Sequence, residues 1–228
     1  MSRKTLAEKR KEKLTEYLDQ YDITKGGGGE PGRYCSIQII NYVAGKQKID
    51  DVTPPYMSKV IRNWIVYTQD AMPAEMRNSK GWKDGLIQVA YSGRQQEEAY
   101  LNIISDWLYE EVMQISKLIS MAEYYKTDEE YWQKLCQERR PFSEEKDKWF
   151  QEMMRNSTPP SLLFLTAKLS WNAAKERERD NFAGASRYAA LAAVKATEQD
   201  YPLPPNKELW TEINPVSVIT KLAERTET

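Results

Sequence analysis

Met57-Ser58-Lys59-Val60-Ile61-Arg62-Asn63-Trp64-Ile65-Val66-Tyr67-Thr68 is the stretch on which the fold class turns. Met57, Val60, Ile61, Trp64, Ile65 and Thr68 follow the i, i+3, i+4, i+7, i+8, i+11 spacing of one helix face, not the alternation of a strand. A helix is predicted over residues 56–71. Thr53 or Pro54-Pro55 is its start signal, and Pro73 its stop, because proline disfavours helical backbone at the residue before it.

Downstream the same period runs from about Gln95 to Tyr124, where Leu101, Ile104, Leu108, Val112, Ile115, Ile119 and Ala122 share a stripe. At about 1.5 Å per residue such a helix spans about 45 Å, and it is the expected spine of the fold. Capping signals at Thr127-Asp128-Glu129-Glu130 and Ser143-Glu144-Glu145 predict two more helices. Pro159-Pro160-Ser161 opens a long helical stretch to about Asp200, with a break expected near Arg179-Asp180-Asn181. Its second half is rich in alanine, which lets helix axes approach closely. Asn214-Pro215 starts a last amphipathic helix after the Tyr201-Pro202-Leu203-Pro204-Pro205 linker.

Upstream, residues 3–21 are Lys- and Glu-rich with a thin apolar stripe of Leu6, Leu14, Tyr17, Leu18 and Tyr21, which predicts a largely exposed helix packed by one edge. Gly26-Gly27-Gly28-Gly29-Glu30-Pro31-Gly32 has the composition of a flexible linker and lacks the spacing and flanks of a phosphate loop. Residues 34–44 fit either a strand or a helix, and Gly45, suited to a helix C′ position, favours the helix. The expected architecture is all-α: an irregular helical bundle with a long central helix at about 95–124 and long C-terminal helices. It divides into a charged helix at 1–25, a linker at 26–32 and one helical domain at 33–228. That domain comprises a core bundle at 33–158 and, at 159–228, an alanine-rich helical region with a C-terminal helix.

Composition narrows the chemistry. The 228 residues include no histidine, which excludes Ser-His-Asp and Cys-His arrangements, imidazole bases and His-ligated zinc. Cys35 and Cys136 have no CxxC spacing and suggest neither a zinc site nor a disulfide framework, so a reducing, cytoplasmic setting is expected. No metal, nucleotide or hydrolytic motif is present, no cofactor is called for, and no reaction is named. The charged start of the chain and the absence of a long apolar run point to a protein with neither signal peptide nor membrane anchor. Lys+Arg is 33 and Asp+Glu 34, interspersed, which is not a nucleic-acid footprint.

One segment carries more polar groups than a helical core needs. Between residues 69 and 94 stand Gln69, Asp70, Arg77, Asn78, Trp82, Lys83, Asp84, Gly93 and Arg94, read as a polar stretch set between rigid helices. Asp70, at a helix C-terminus where a carboxylate is disfavoured, needs a partner, and Arg77 or Arg94 fits it. Two readings follow. In one, Asp70, Arg77, Asn78 and Arg94 hold a ligand; in the other a salt bridge ties a turn to its helix, Asn78 or Ser79 is an N-cap, and Trp82 is core. Tyr34 and Asn41 are candidates to face the Asp70 turn. Cys35, beside Arg33 at a helix start, reads as a buried core thiol because no base accompanies it.

The run from Arg33-Tyr34-Cys35-Ser36-Ile37-Gln38-Ile39-Ile40-Asn41, through Met57-Ser58-Lys59-Val60-Ile61-Arg62-Asn63-Trp64-Ile65 and Gln69-Asp70-Ala71-Met72-Pro73-Ala74-Glu75-Met76-Arg77-Asn78-Ser79-Lys80-Gly81-Trp82-Lys83, to Ser92-Gly93-Arg94, resembles an uncharacterised family of phage, prophage and mobile-region proteins. In that family the motifs precede an alanine-rich helical tail, which Ala173–Ala196 resembles in shortened form. The resemblance covers most of 33–110 and implies a mobile-element context. It carries no catalytic residue across, since the family has no established activity.

Three functions compete on sequence grounds. A binding or regulatory protein acting through protein–protein contacts or self-association fits the missing motifs and the abundance of Tyr (14) and Trp (7). A small-ligand site or enzyme would use the 69–94 cluster. Nucleic-acid binding would use Arg3, Lys4, Lys9, Arg10, Lys11 and Lys13, but Glu8, Glu12 and Glu16 pair with these along a solvated face.

Overall fold

The computed structural model describes residues 5–26, 32–46, 52–115, 162–197 and 206–226, and among these every regular element is helical. α1 spans Leu6–Gln20 and begins in a capping box. Thr5 Oγ1 accepts from Glu8 N–H, and the Glu8 carboxylate accepts from Thr5 N–H. Leu14 and Leu18 are its buried edge, whereas Leu6 stays 64% exposed. α2, Ser36–Val43, resolves the strand-or-helix ambiguity in favour of helix, with Cys35 as N-cap and Gly45 at φ 77 just past its end.

α3, Lys59–Ala71, is the helix predicted from the opening stretch, and it buries Val60, Ile61, Trp64, Ile65 and Thr68. Its start differs from the expectation. The N-cap is Ser58, whose hydroxyl accepts from Ile61 N–H, and not Thr53 or the prolines. A second acceptor set explains why: the Glu97 carboxylate takes Lys59 N–H, Val60 N–H and the Ser58 hydroxyl, each at 2.9 Å. The two N–H groups are orphan donors of the first turn, at the positive end of the helix dipole.

The 69–94 segment is helical for much of its length, which corrects its reading as a stretch between helices. α4 is the single turn Ala74–Arg77, and α5 runs from Lys80 to Val89. Ser79 is the N-cap of α5, accepting from Trp82 N–H, and Trp82 is fully buried, as the structural alternative required. Gly81 and Gly85 sit inside α5 because α10, Pro215–Thr226, lies against them. A Cβ at Gly81 would meet Val216 Cγ1 at 2.7 Å, and one at Gly85 would meet Ile219 Cγ2 at 2.7 Å.

α6, Glu97–Trp107, passes into a π-helical turn at Leu108–Val112, and the described chain continues helically to Ile115. The remainder of the predicted spine, 116–124, and the two helices expected within 127–158 lie outside the described residues. The helical hairpin follows as α7, Leu162–Glu178, and α8, Phe182–Thr197. The break falls where predicted. Asp180 adopts φ 56, and Asn181 Oδ1 accepts from Gly184 N–H to start α8. Buried Ala185, Ala189, Ala190, Ala192, Ala193 and Ala196 let α8 pack closely on α7 and α3, and Ser186 Oγ donates to the Val60 carbonyl at 3.0 Å. A short α9, Lys207–Ile213, was not anticipated; it buries Trp210 and starts at Asn206, whose side chain accepts from Glu208 and Leu209 N–H.

These elements close over one hydrophobic cluster that reaches from Leu14 and Leu18 to Ile219 and Leu222. Trp64 lies at its centre, 5.7 Å from the Trp82 ring and edge-on to Trp107 at 5.7 Å.

Candidate functional site

The polar residues of the last turn of α3, of α4 and of α5 converge on the chain's own N-terminal arm, residues 18–26. Asn78, the C-cap of α4, pairs with one residue of that arm at two points. Its Oδ1 accepts from Ile23 N–H at 2.6 Å, and its Nδ2 donates to the Ile23 carbonyl at 3.2 Å. The Ile23 side chain is 2% exposed. One residue further, Thr24 N–H donates to the Tyr34 carbonyl at 3.1 Å, and Gln69 Nε2 reaches the Thr24 carbonyl at 3.5 Å. Gln69 Oε1 meanwhile accepts from Ser36 N–H at 2.9 Å, which joins the arm, α2 and α3.

Asp70 completes the set. Its Oδ1 accepts from Gly26 N–H at 3.1 Å and from Gln69 Nε2 at 3.1 Å. Gly26 holds φ 68, the left-handed region that glycine enters without steric cost. The expected Asp70–arginine bridge is therefore replaced by hydrogen bonds to neutral groups. Arg77 turns instead to the end of α3, where Nη1 donates to the Gln69 carbonyl at 3.2 Å, so a cation meets the negative helix terminus. Burial lowers the Arg77 pKa, and the nearby charges of Asp70 and Glu75 oppose that shift.

Lys83 treats α1 in the same way. Its Nζ donates to the Leu18 carbonyl at 2.7 Å and the Tyr21 carbonyl at 3.3 Å, with the Asp22 carboxylate at 3.6 Å. Two cations thus cap two helix C-termini, each from another element. The sequence shows Lys83 among other charges, and no local signal marks this task.

Of the remaining candidates, Tyr34 meets the arm through its carbonyl, while Arg94 and Asn41 stand apart from the bonds above. Arg94 is exposed and joins none of these bonds; its neighbour Gly93 donates to the Tyr56 carbonyl at 3.0 Å, which fixes the loop. Asn41 is buried and donates to the Val52 carbonyl at 3.0 Å. Tyr34 is buried and contributes its carbonyl to the arm, while its ring joins a tyrosine group. Tyr17 lies 4.7 Å from Tyr21, 5.5 Å from Tyr42 and 6.5 Å from Tyr34 by ring centroids. Tyr21 and Tyr42 remain 42% and 43% exposed at the edge of this group. Cys35 is buried as expected, and its N–H donates to Gln38 Oε1 at 3.1 Å.

Among the described residues no group of His, Cys, Asp or Glu is placed to hold a metal, and no helix is long and apolar enough to cross a membrane. Compared with known proteins, the chain matches no family model, no curated protein and no solved structure.

Proposed function

We propose that this chain is a binding protein that acts through contacts with another protein chain, and that residues 69–83 read the backbone of an extended peptide. The observation that carries this is the pairing of Asn78, Gln69 and Asp70 with the backbone of residues 23–26, beside one buried aliphatic side chain, Ile23. Backbone bonds with a side-chain pocket are how grooves hold extended peptides. The exposed edge of the tyrosine group adds the residue type enriched at interfaces.

Engagement of Asp70, Arg77 and Asn78 with the chain's own backbone is why this reading is preferred to a small-ligand or catalytic site. Arg10 and Lys11 of the basic helix face inward too, Arg10 over the Tyr56 ring at 5.1 Å and Lys11 on Gln88 at 2.6 Å, which weakens the nucleic-acid alternative. A cytoplasmic location is supported by the unpatterned cysteines, and a phage or mobile-element context by the motif resemblance. The test is affinity capture from the native host with the full chain and its Asn78→Leu variant, beside light scattering. A stoichiometric partner, or self-association, that Asn78→Leu loses supports the reading. Recovery of neither overturns it.

A further inference from the structure

Resting on the reading that residues 69–83 bind an extended peptide backbone, we infer that the peptide is also supplied in trans, by residues 22–26 of a second copy of this chain. Two copies then associate by exchanging N-terminal arms. The occupant of the groove carries the inference. Ile23 N–H and C=O, Thr24 N–H and C=O, and Gly26 N–H are taken by Asn78, Tyr34, Gln69 and Asp70. Each of these partners lies at or beyond residue 34, while the arm ends at Gly26, where the glycine run begins.

The same division holds along α1. Arg10 lies over Tyr56, Lys11 bonds Gln88, Tyr17 meets Tyr34 and Tyr42, and Lys83 holds the Leu18 and Tyr21 carbonyls. The arm therefore makes its cross-linker contacts with a body that an identical copy presents equally well. A symmetric pair closes with no surplus arm, which is the low-cost route of segment exchange. A net charge of −1 leaves little long-range repulsion between copies. What favours the single chain is that arm and body are tethered a few residues apart in sequence: such a tether gives an effective concentration in the mM range, so exchange needs either comparable protein concentration or a tether that cannot close back.

Two experiments on the full chain test this. First, Ile23→Asp spoils the arm and leaves the groove, whereas Asn78→Leu spoils the groove and leaves the arm. With folding of each checked by far-UV circular dichroism, sedimentation velocity of the mixture is expected to show a one-to-one heterodimer. Its association should be at least ~10-fold tighter than either variant with itself, because only the mixture offers an intact arm to an intact groove without a competing tether. Second, Gly28→Pro with Gly29→Pro joins the native Pro31 in a stiff, extended run and is expected to give a dimer at micromolar concentration. Adding Ile23→Asp to it should return the monomer.

Monomers in both experiments, or a stiffened-linker dimer that survives Ile23→Asp, overturn arm exchange. A labelled synthetic peptide of residues Gln20–Gly26, titrated onto the Ile23→Asp chain, separates the two levels. If the peptide binds while no dimer forms, arm exchange falls and the peptide-groove reading stands. If the peptide does not bind, both fall.

Discussion

Asn78 and Ile23 pair as neighbouring strands would, one side-chain amide standing in for a strand residue: Oδ1 accepts at 2.6 Å and Nδ2 donates at 3.2 Å. Removing that amide leaves a backbone donor and acceptor beside a buried side chain without their partner. Asn78→Ala is expected to destabilise the chain by about 1–3 kcal/mol, with a lower Tm. Limited trypsin digestion gives the local readout, since cleavage after the exposed Lys25 should accelerate more than cleavage elsewhere.

Asp70 is expected to tolerate neutralisation. A buried carboxylate paired with an arginine would cost about 3–5 kcal/mol on truncation. Asp70 is half-buried and accepts from two neutral donors, so Asp70→Ala should cost about 1–2 kcal/mol. Asp70→Asn, which keeps the Oδ1 acceptor, should fall within about 0.5 kcal/mol of wild type in chemical denaturation. A loss above about 3 kcal/mol for Asp70→Asn contradicts the assignment.

Gly85 is held small by Ile219. A methyl group there meets Ile219 Cγ2 at 2.7 Å and Cγ1 at 3.0 Å, so Gly85→Ala is expected to cost about 1–3 kcal/mol through overpacking, despite alanine's higher helix propensity. Combining it with Ile219→Ala makes room for the methyl. The double mutant should then be more stable than the sum of the two single losses predicts, and a double-mutant cycle on urea denaturation measures the difference.

Alkaline stability follows from four tyrosines. Burial raises the phenol pKa of Tyr17, Tyr56, Tyr91 and Tyr100 above the ordinary value. Above about pH 10 the unfolded chain releases these protons while the folded chain retains them. The contribution is therefore complete below pH 10 and is lost as pH rises through the folded values. Tyrosinate absorbance should show these four phenols titrating late and together with unfolding. Titration of Tyr56 or Tyr91 near the ordinary phenol value while the chain stays folded would contradict this.

Glu97 is the cap of a helix it does not belong to. Glu97→Ala should cost about 1–2 kcal/mol, and Glu97→Gln less, because the amide keeps one acceptor and loses the charge at the helix N-terminus. Added salt should narrow the gap between the Gln variant and wild type, as expected of a partly screened charge.

Much of the fold was legible because it is periodic. The apolar faces of α3 and α6, the alanine stripe of α8, the break at Arg179-Asp180-Asn181 and the start at Asn214-Pro215 all lie in local spacing. The start of α5 at Ser79 and its buried Trp82 were legible as one of two readings, but its extent was not, because Gly81 and Gly85 look like loop residues until α10 is known to press on them. α9 was missed because seven residues are too few for a periodicity to show. In the polar segment the residue types were legible, but not their partners. Asn78 binds a residue 55 positions away, and Gln69 bonds backbone at Ser36, 33 positions away; no local rule links such pairs. The expectation that Asp70 needs an arginine failed for a related reason, because main-chain N–H groups delivered by a distant segment leave no trace in sequence.

The π-helical turn at Leu108–Val112 means that α6 carries one surplus residue relative to an α-helix of the same angular phase. Removing the exposed Glu111 would let the turn relax to ordinary α geometry while Trp107 and Met113 keep their inward bearing. Removing any residue within Glu97–Trp107 would swing everything beyond it by about 100° and point the apolar stripe at water. This single turn is therefore where the helix can lose a residue without losing its orientation.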